Sequence, residues 1–494
     1  MFSRRDFLKI AAFLSYWPYG WLNEKKQQNG IIVNDIHSQL NTTHVAEISK
    51  ANSLDTIRET VIKAAEENRP ISIAGGRHAM GAQQFGTDTI LLDMNALTNV
   101  LHFDKQEGWV EVEAGIQWPQ LLQYLLNSQK SDWPQWGIIQ KQTGANRLSI
   151  GGALSANVHG RGLKFRPFIQ DVESFDLINA RGDVVTCSRE KNPELFHLAI
   201  GGYGLFGVIV NVKLKLSKRT KLKRVVKIID IENLIPAFEE RIANGYLYGD
   251  FQSSTAMKTS DFLRKGVFSC YLPIEDNSPI TDNQKALSEN DWRNLLYLAH
   301  ADKKRAFEVY SNYYLSTSGQ LYWSDTHQMS TYIDNYHDEL GRKFGTRKKA
   351  SEMITEIYVP RDTFVNFMSE VRNDFLKNDV NLIYSTIRLI EKDDESFMAW
   401  ARDSFVCIIF NIHITHDKRE IEKGTNHFRR LIDLAIKYAG SYYLTYHRWA
   451  TREQVLECYP QFPEFLRLKK KYDPYERFQS DWYRHYKKMF ADLI

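Results

Sequence analysis

Three glycine-rich segments, each adjoining a short apolar strand pattern, constrain this chain more than any other feature. The first, Ala74-Gly75-Gly76-Arg77-His78-Ala79-Met80-Gly81, follows Pro70-Ile-Ser-Ile-Ala74 directly. The second runs through Thr143-Gly144 to Ser149-Ile150-Gly151-Gly152-Ala153-Leu154-Ser155-Ala156-Asn157-Val158-His159-Gly160. The third, Gly201-Gly202-Tyr203-Gly204-Leu205-Phe206-Gly207, leads into alternating Val208, Val210, Val212, Leu214 and Leu216. Glycine admits positive φ and lets the backbone approach a ligand, so successive N–H groups can face phosphate oxygens. None of the three is a G-x-G-x-x-G opening a helix in a βαβ unit, and none is a Walker loop. A Rossmann or NTPase reading therefore fails.

Around these segments the pattern alternates short strands and helices. Asn52–Asn68 reads as a helix capped by Ser53, and Thr89–Asp93 and Trp109–Ala114 read as strands. Pro119–Leu126 reads as a short helix, and Asp171–Ala180 with Asp183–Thr186 as a hairpin around Arg181-Gly182. Residues 36–218 thus form one expected domain. Residues 219–440 mix longer helices (Gln284–Val309, Pro360–Asn378, Glu420–Ala439) with strands (Phe268–Leu272, Ile383–Ile390, Phe405–Ile414), a second α+β domain. Residues 441–494 form a tail rich in Tyr, Trp and Arg, whose Lys469-Lys470-Lys471 run reads as a solvated helix face.

Composition excludes other classes. With 43% apolar and 25% charged residues, the 494-residue chain is globular and long enough for two or three domains. A net charge of +4 lacks the basic excess of a nucleic-acid-coating protein. The four cysteines are scattered without a CxxC or Cys/His cluster, so no metal site is expected. Ser3-Arg4-Arg5-Asp6-Phe7-Leu8-Lys9 fits the twin-arginine export pattern, and the apolar stretch Ile10–Trp21 is shorter than the roughly 20 residues of a membrane span. No clean A-x-A cleavage site follows. Residues 1–30 are therefore read as an export signal, cut or kept as a membrane anchor, and the protein as periplasmic or otherwise exported.

Taken together, in this order and spacing, the glycine segments and the strands Leu91-Leu92-Asp93-Met94-Asn95 and Val110-Glu111-Val112-Glu113-Ala114-Gly115 resemble the FAD-binding domain of the vanillyl-alcohol-oxidase superfamily, also called the p-cresol-methylhydroxylase type. The ending Tyr459-Pro460, Phe462, Tyr472-Asp473-Pro474, Phe478 and Asp481 is similar to that of the alditol and aldonolactone oxidases and of the decaprenylphosphoryl-ribose oxidases. The resemblance implies an α+β fold: a two-subdomain FAD-binding domain, an α+β cap holding substrate, and a C-terminal tail returning to the FAD domain.

The resemblance also implies roles. FAD is expected against Gly75, Gly76, Arg77, His78, Ala79, Met80, Gly81, Gly144, Ser149, Ile150, Gly151, Gly152, Ala156, Asn157, Val158, His159, Ile209 and Tyr443. His78 stands where many members link the flavin covalently, whereas the ribose-oxidase branch holds FAD noncovalently. His159 matches a histidine beside the flavin ring, and Arg388 in Ser385-Thr386-Ile387-Arg388 matches an arginine that steadies negative charge there. The family glutamate two residues earlier is replaced by Thr386, and the family lysine by Tyr446. Tyr446 and His447 are accordingly the expected proton acceptors: imidazole titrates near neutral pH, and a tyrosine needs a cation such as Arg448.

The expected activity is oxidation of an alcohol carbon of a sugar, polyol or lactone, with oxygen or a quinone-like carrier as the final acceptor. The same fold serves amine and cytokinin-like donors, and a flavin-binding electron carrier without turnover is a rival from another class.

Overall fold

The structure is a computed structural model that describes residues 30–275, 279–280, 284–331, 333 and 336–494. The twin-arginine segment lies outside the described residues. Those residues form the α+β arrangement expected, built on a three-stranded, a six-stranded and an eight-stranded sheet, with a two-stranded ribbon of Ile31–Val33 and Thr43–Val45 beside them.

The first small sheet is parallel, with Ile90–Asp93 between Glu47–Lys50 and Ile71–Ala74. The helix Leu54–Glu66 packs Ile57, Val61 and Ala64 into its core, and the Ser53 side chain accepts from the Thr56 N–H to cap it. The second small sheet is antiparallel and centres on Val208–Lys218, which pairs with Trp109–Glu113 on one side and Val172–Ile178 on the other. Its alternating inward residues, Val208, Val212 and Leu214, are buried as the period of two requires.

The large sheet has eight strands. Within it Phe405–Thr415 lies antiparallel between Leu382–Ile390 and Ala350–Pro360. Two helices cover one face. Phe364–Lys377 contributes Phe367, Val371 and Phe375, and Lys418–Lys437 contributes Phe428, Leu431 and Ile432. The helices Glu289–Ala301 and Lys303–Ser316, expected as one, break at Asp302, whose side chain caps the second.

The tail closes the first sheet. Ile71 donates to the Arg477 carbonyl at 2.7 Å and accepts from Gln479 at 2.8 Å, a strand-like bridge centred on Phe478. Asp473 accepts from the Arg477 and Phe478 N–H groups, and Asp481 from Thr87. One expectation is corrected here. Lys469 is fully buried, paired with Asp473, rather than part of a solvated face. Its neighbour Lys470 is exposed, so the helix turns the run in two directions.

Candidate active site

A cavity of about 1280 Å³ runs between the two smaller sheets and the face of the large sheet that carries Glu356 and Arg388, and the helices Glu289–Ala301 and Lys303–Ser316 line its far end. It exceeds the roughly 300–1,000 Å³ of ordinary small-ligand pockets, which leaves room for a dinucleotide and a second small molecule. Its glycine end is lined by Gly75, Gly76, Arg77, His78, Ala79 and Met80. Among the described residues, the N–H groups of Gly75 through Ala79 find no protein acceptor. A Cβ on Gly75 would come 2.1 Å from Ser149 Oγ, and one on Gly76 would come 2.3 Å from the Arg147 carbonyl. The turn therefore requires glycine and leaves a row of unpaired donors at the cavity wall, which suits a diphosphate. Asn95 fixes the turn by donating to the Gly75 carbonyl at 3.0 Å.

The second segment contributes differently. Its helix Ile150–Ala156 spends its first N–H groups on the carbonyls of Ile116 and Ala114, so it offers smallness rather than donors. Gly144, Ser149, Gly151, Gly152, Ala156, Val158, Tyr203, Gly204, Gly207, Ile209 and Tyr443 line the cavity. Three expected contacts do not. Ile150 is buried in the core. Asn157, at φ +48°, ends the helix, and its side chain is spent on Asp393, Ser396 and the Ile169 N–H. Gly81 is glycine because a Cβ would meet the Tyr446 carbonyl at 2.4 Å, and it does not face the cavity.

These features fit FAD. The turn supplies donors for the diphosphate, the small residues admit a flat ring system, and His78 adds a neutral imidazole. Burial, helped by the nearby His37, pushes its pKa down to about 3. His78 Nδ1 lies 2.8 Å from His37 Nε2, and its buried Nε2 makes no hydrogen bond of ordinary geometry.

The glycine turn is stapled to the segment carrying Tyr446. Met80 donates to the Thr445 carbonyl at 3.0 Å, and Gln83 Nε2 donates to Leu444 at 2.7 Å. Tyr446 faces the cavity, and His447, the next residue, turns away from it. His447 stacks on Trp449 at 4.0 Å and lies edge-on to Phe428, outside the lining. Burial lowers its pKa to about 4. The expected role of His447 as proton acceptor thus lacks the necessary position.

Glu356 is the residue that sequence reasoning missed. It projects from Ala350–Pro360 and sits opposite Ile409, which on its other side faces Thr386. The carboxylate therefore lies in the same cross-strand row as Thr386, two strands away. Glu356 Oε1 accepts from His159 Nε2, from Tyr358 at 2.8 Å and from Cys407 Sγ at 2.9 Å. Its Oε2 accepts from the Tyr446 hydroxyl at 3.1 Å. Burial would raise this carboxyl, but His159, Cys407 and Arg388 outweigh it and hold it at about 2. Tyr446 is pushed well above the ordinary phenol value, by burial first and then by Glu356. Arg388 lines the cavity, 4% exposed, and its Nε has no partner among the described residues. Tyr443 donates to the Ala156 carbonyl at 2.5 Å, which clamps the tail to the second glycine segment.

Two family models match separate parts of the chain. The family described as FAD binding domain matches residues 46–188, and the family described as D-arabinono-1,4-lactone oxidase matches residues 258–486. Among curated proteins, cytokinin dehydrogenase 9 of Oryza sativa subsp. japonica is 26% identical over 359 residues, 67% of this chain and 64% of that protein. Mitochondrial L-galactono-1,4-lactone dehydrogenase of Arabidopsis thaliana is 27% identical over 228 residues, 44% of this chain and 35% of that protein. L-gulonolactone oxidase of Mus musculus is 29% identical over 164 residues, 33% of this chain and 35% of that protein. The chain thus spans under two thirds of the length of each.

Proposed function

We propose that this chain, which belongs to the p-cresol-methylhydroxylase-type FAD-binding superfamily, oxidises the CH–OH carbon of a small sugar, polyol or lactone. The observation that carries this reading is the buried, ionised Glu356, bonded to both His159 and Tyr446 at the wall of the cavity that holds the glycine turn. When bound, FAD supplies the two-electron acceptor for the hydride that leaves the carbon. The N–H groups of Gly75 through Ala79 would hold its diphosphate, with Gly151, Gly152, Gly204 and Gly207 admitting its rings. His78 is the attachment point if the link is covalent.

The chain's own residues manage the proton and the charge. A substrate hydroxyl bonded to Tyr446 can pass its proton to the phenol oxygen as Tyr446 passes its own to Glu356 Oε2. Glu356 is a weak acceptor alone, but a carboxylate and imidazole in direct contact take up a proton as a unit. Arg388, without a bond to its Nε, is free to meet negative charge developing in the cavity. Asp250, Gln252, Tyr310 and Tyr384 line the remaining wall with groups that suit hydroxyls.

In this reading residues 36–218 are the FAD module, 219–440 the cap, and 441–494 the tail that completes both. Export by the twin-arginine machinery rests on Ser3–Lys9, and among the described residues no helix is long and apolar enough to cross a membrane. Oxygen or a quinone-type carrier serves as the final acceptor. The test is anaerobic mixing of the purified yellow protein with aldonolactones, alditols and cytokinin-like amines. Bleaching by a lactone or polyol is the expected result. Bleaching only by amines would favour the relatives of cytokinin dehydrogenase type, and bleaching by dithionite alone would leave an electron carrier. Acid precipitation settles the link: flavin retained in the pellet, and lost in His78→Ala, marks a covalent bond.

A further inference from the structure

At the cap end of the cavity, away from Glu356, a second cluster takes no part in the proposed reaction. His300 lies in the last turn of Glu289–Ala301, His337 in the helix Tyr336–Lys343, and His413 and Glu352 face each other on paired strands. One ring nitrogen of each histidine lies within 4.8 Å of the others. The ring centroids are 5.3 Å apart for His300 and His413, and 6.3 Å apart for the other two pairs. His300 Nε2 lies 3.6 Å from Glu352 Oε1, with the two side chains 6% and 11% exposed. His300 Nε2, Glu352 Oε1 and His413 Nδ1 are all buried without a hydrogen-bond partner.

Buried polar atoms left unpaired lose their hydration with nothing in return, and three of them on adjacent side chains require an explanation. His300 points to one. Its Nδ1 is 2.9 Å from the Leu296 carbonyl, which fixes the proton there and leaves the Nε2 lone pair directed into the cluster. An imidazole anchored through one nitrogen to a backbone carbonyl, with the other free, is the arrangement of a metal ligand with its outer-shell partner. Ligands on a tetrahedral zinc ion at about 2.0–2.1 Å are spaced roughly 3.4 Å apart, so histidine nitrogens within 4.8 Å of one another need only small side-chain rotations to meet on one ion.

We propose that one ring nitrogen each of His300, His337 and His413 forms a binding site for a divalent transition-metal ion of the zinc class, with Glu352 Oε1, 3.6 Å from His300 Nε2, reaching it as the fourth ligand. Imidazole donors select such an ion over magnesium or calcium, which take oxygen ligands. The ion would tie two cap helices to the large sheet. The opposing charge of Lys303 is held by its bond to the Leu382 carbonyl. The site is absent from any local sequence pattern, because its ligands are drawn from four separate elements.

The experiment uses the FAD-loaded full-length protein after chelation and desalting. Zinc is titrated in competition with a chromophoric chelator, and cobalt is followed by its visible bands beyond the flavin absorption. One ion per chain is expected, and His413→Ala and His337→Ala should weaken binding by more than the 10–100-fold that loss of an outer-shell partner costs. Flavin content and far-ultraviolet circular dichroism check that the variants fold. Zinc-edge X-ray absorption of the wild type needs no variant and should show imidazole scattering at about 2.0–2.1 Å. A shell of water oxygens alone, substoichiometric binding, or equal affinity in the folded variants would overturn the proposal.

Discussion

Glu352 and Glu356 sit on one strand, on one face, about 13 Å apart at the usual rise per residue. Both are buried, yet they are driven in opposite directions. Burial lifts Glu352 to about 7, and Tyr336, Lys303 and Asn411 fail to offset it. At Glu356 the same burial is outweighed by His159, Cys407 and Arg388, which hold it at about 2. The strand is common to both, so the difference comes entirely from the neighbours. A carboxylate that receives several donors and faces a cation is ionised and fit for proton work; at Glu352 burial outweighs the attraction of Lys303.

The contrast should appear first in turnover. Glu356→Gln is expected to slow substrate-driven bleaching of the flavin by at least about 100-fold in stopped flow, and Glu352→Gln by less than about 10-fold. Equal losses in the two variants would erase the distinction. Stability comes next. Glu356→Ala leaves Arg388 buried without its counter-charge and His159 Nε2 without its partner, and should cost about 3–5 kcal/mol in urea unfolding. A cost under about 1 kcal/mol would mean that the network is solvated.

Acid titration separates the two glutamates by sign. Glu356 is depressed in the folded state, so its contribution is complete above pH about 4.5. About 3 kcal/mol is then lost as the pH falls toward 2. Glu352 is raised, so in chelated protein the native state keeps a proton that the unfolded chain releases. Stability should therefore fall as the pH rises from about 4.5 to 7, and Glu352→Gln should flatten that slope. An unchanged slope in the variant would assign the trend elsewhere. The smallest effect belongs to Cys407→Ser. A hydroxyl can replace the thiol donor to Glu356, so a change within about 1.5 kcal/mol is expected.

The same comparison explains what could be read from sequence. The glycine turn was legible because backbone recognition is local: Gly75 and Gly76 must be glycine, and they stand next to the strand that aims them. Helix and strand positions were legible through periodicity, as at Leu54–Glu66 and Val208–Lys218. The Glu356 network was not, because residues 159, 356, 388, 407 and 446 meet only through cross-strand register and tail docking. Tyr446 was found by its spacing from Tyr459, but spacing fixes a chain position and not a side-chain direction, so His447 was carried along with it. Asn157 misled for a related reason. It lies inside a ligand-facing segment but spends its side chain on shaping the turn. The metal cluster escaped because no two of its histidines are close in sequence.

The bridge from Ile71 to Phe478 has a consequence for how the protein is made. The partners are separated by about 400 residues, which a ribosome adding about 5–20 residues per second takes roughly 20–80 s to synthesise. For that interval the strand bearing the glycine turn presents an open edge, a template for unwanted pairing. Tyr446 and Tyr443 also arrive only near the end of translation. The cavity therefore cannot be completed on a nascent chain, and cofactor loading becomes a late event that certifies a finished polypeptide.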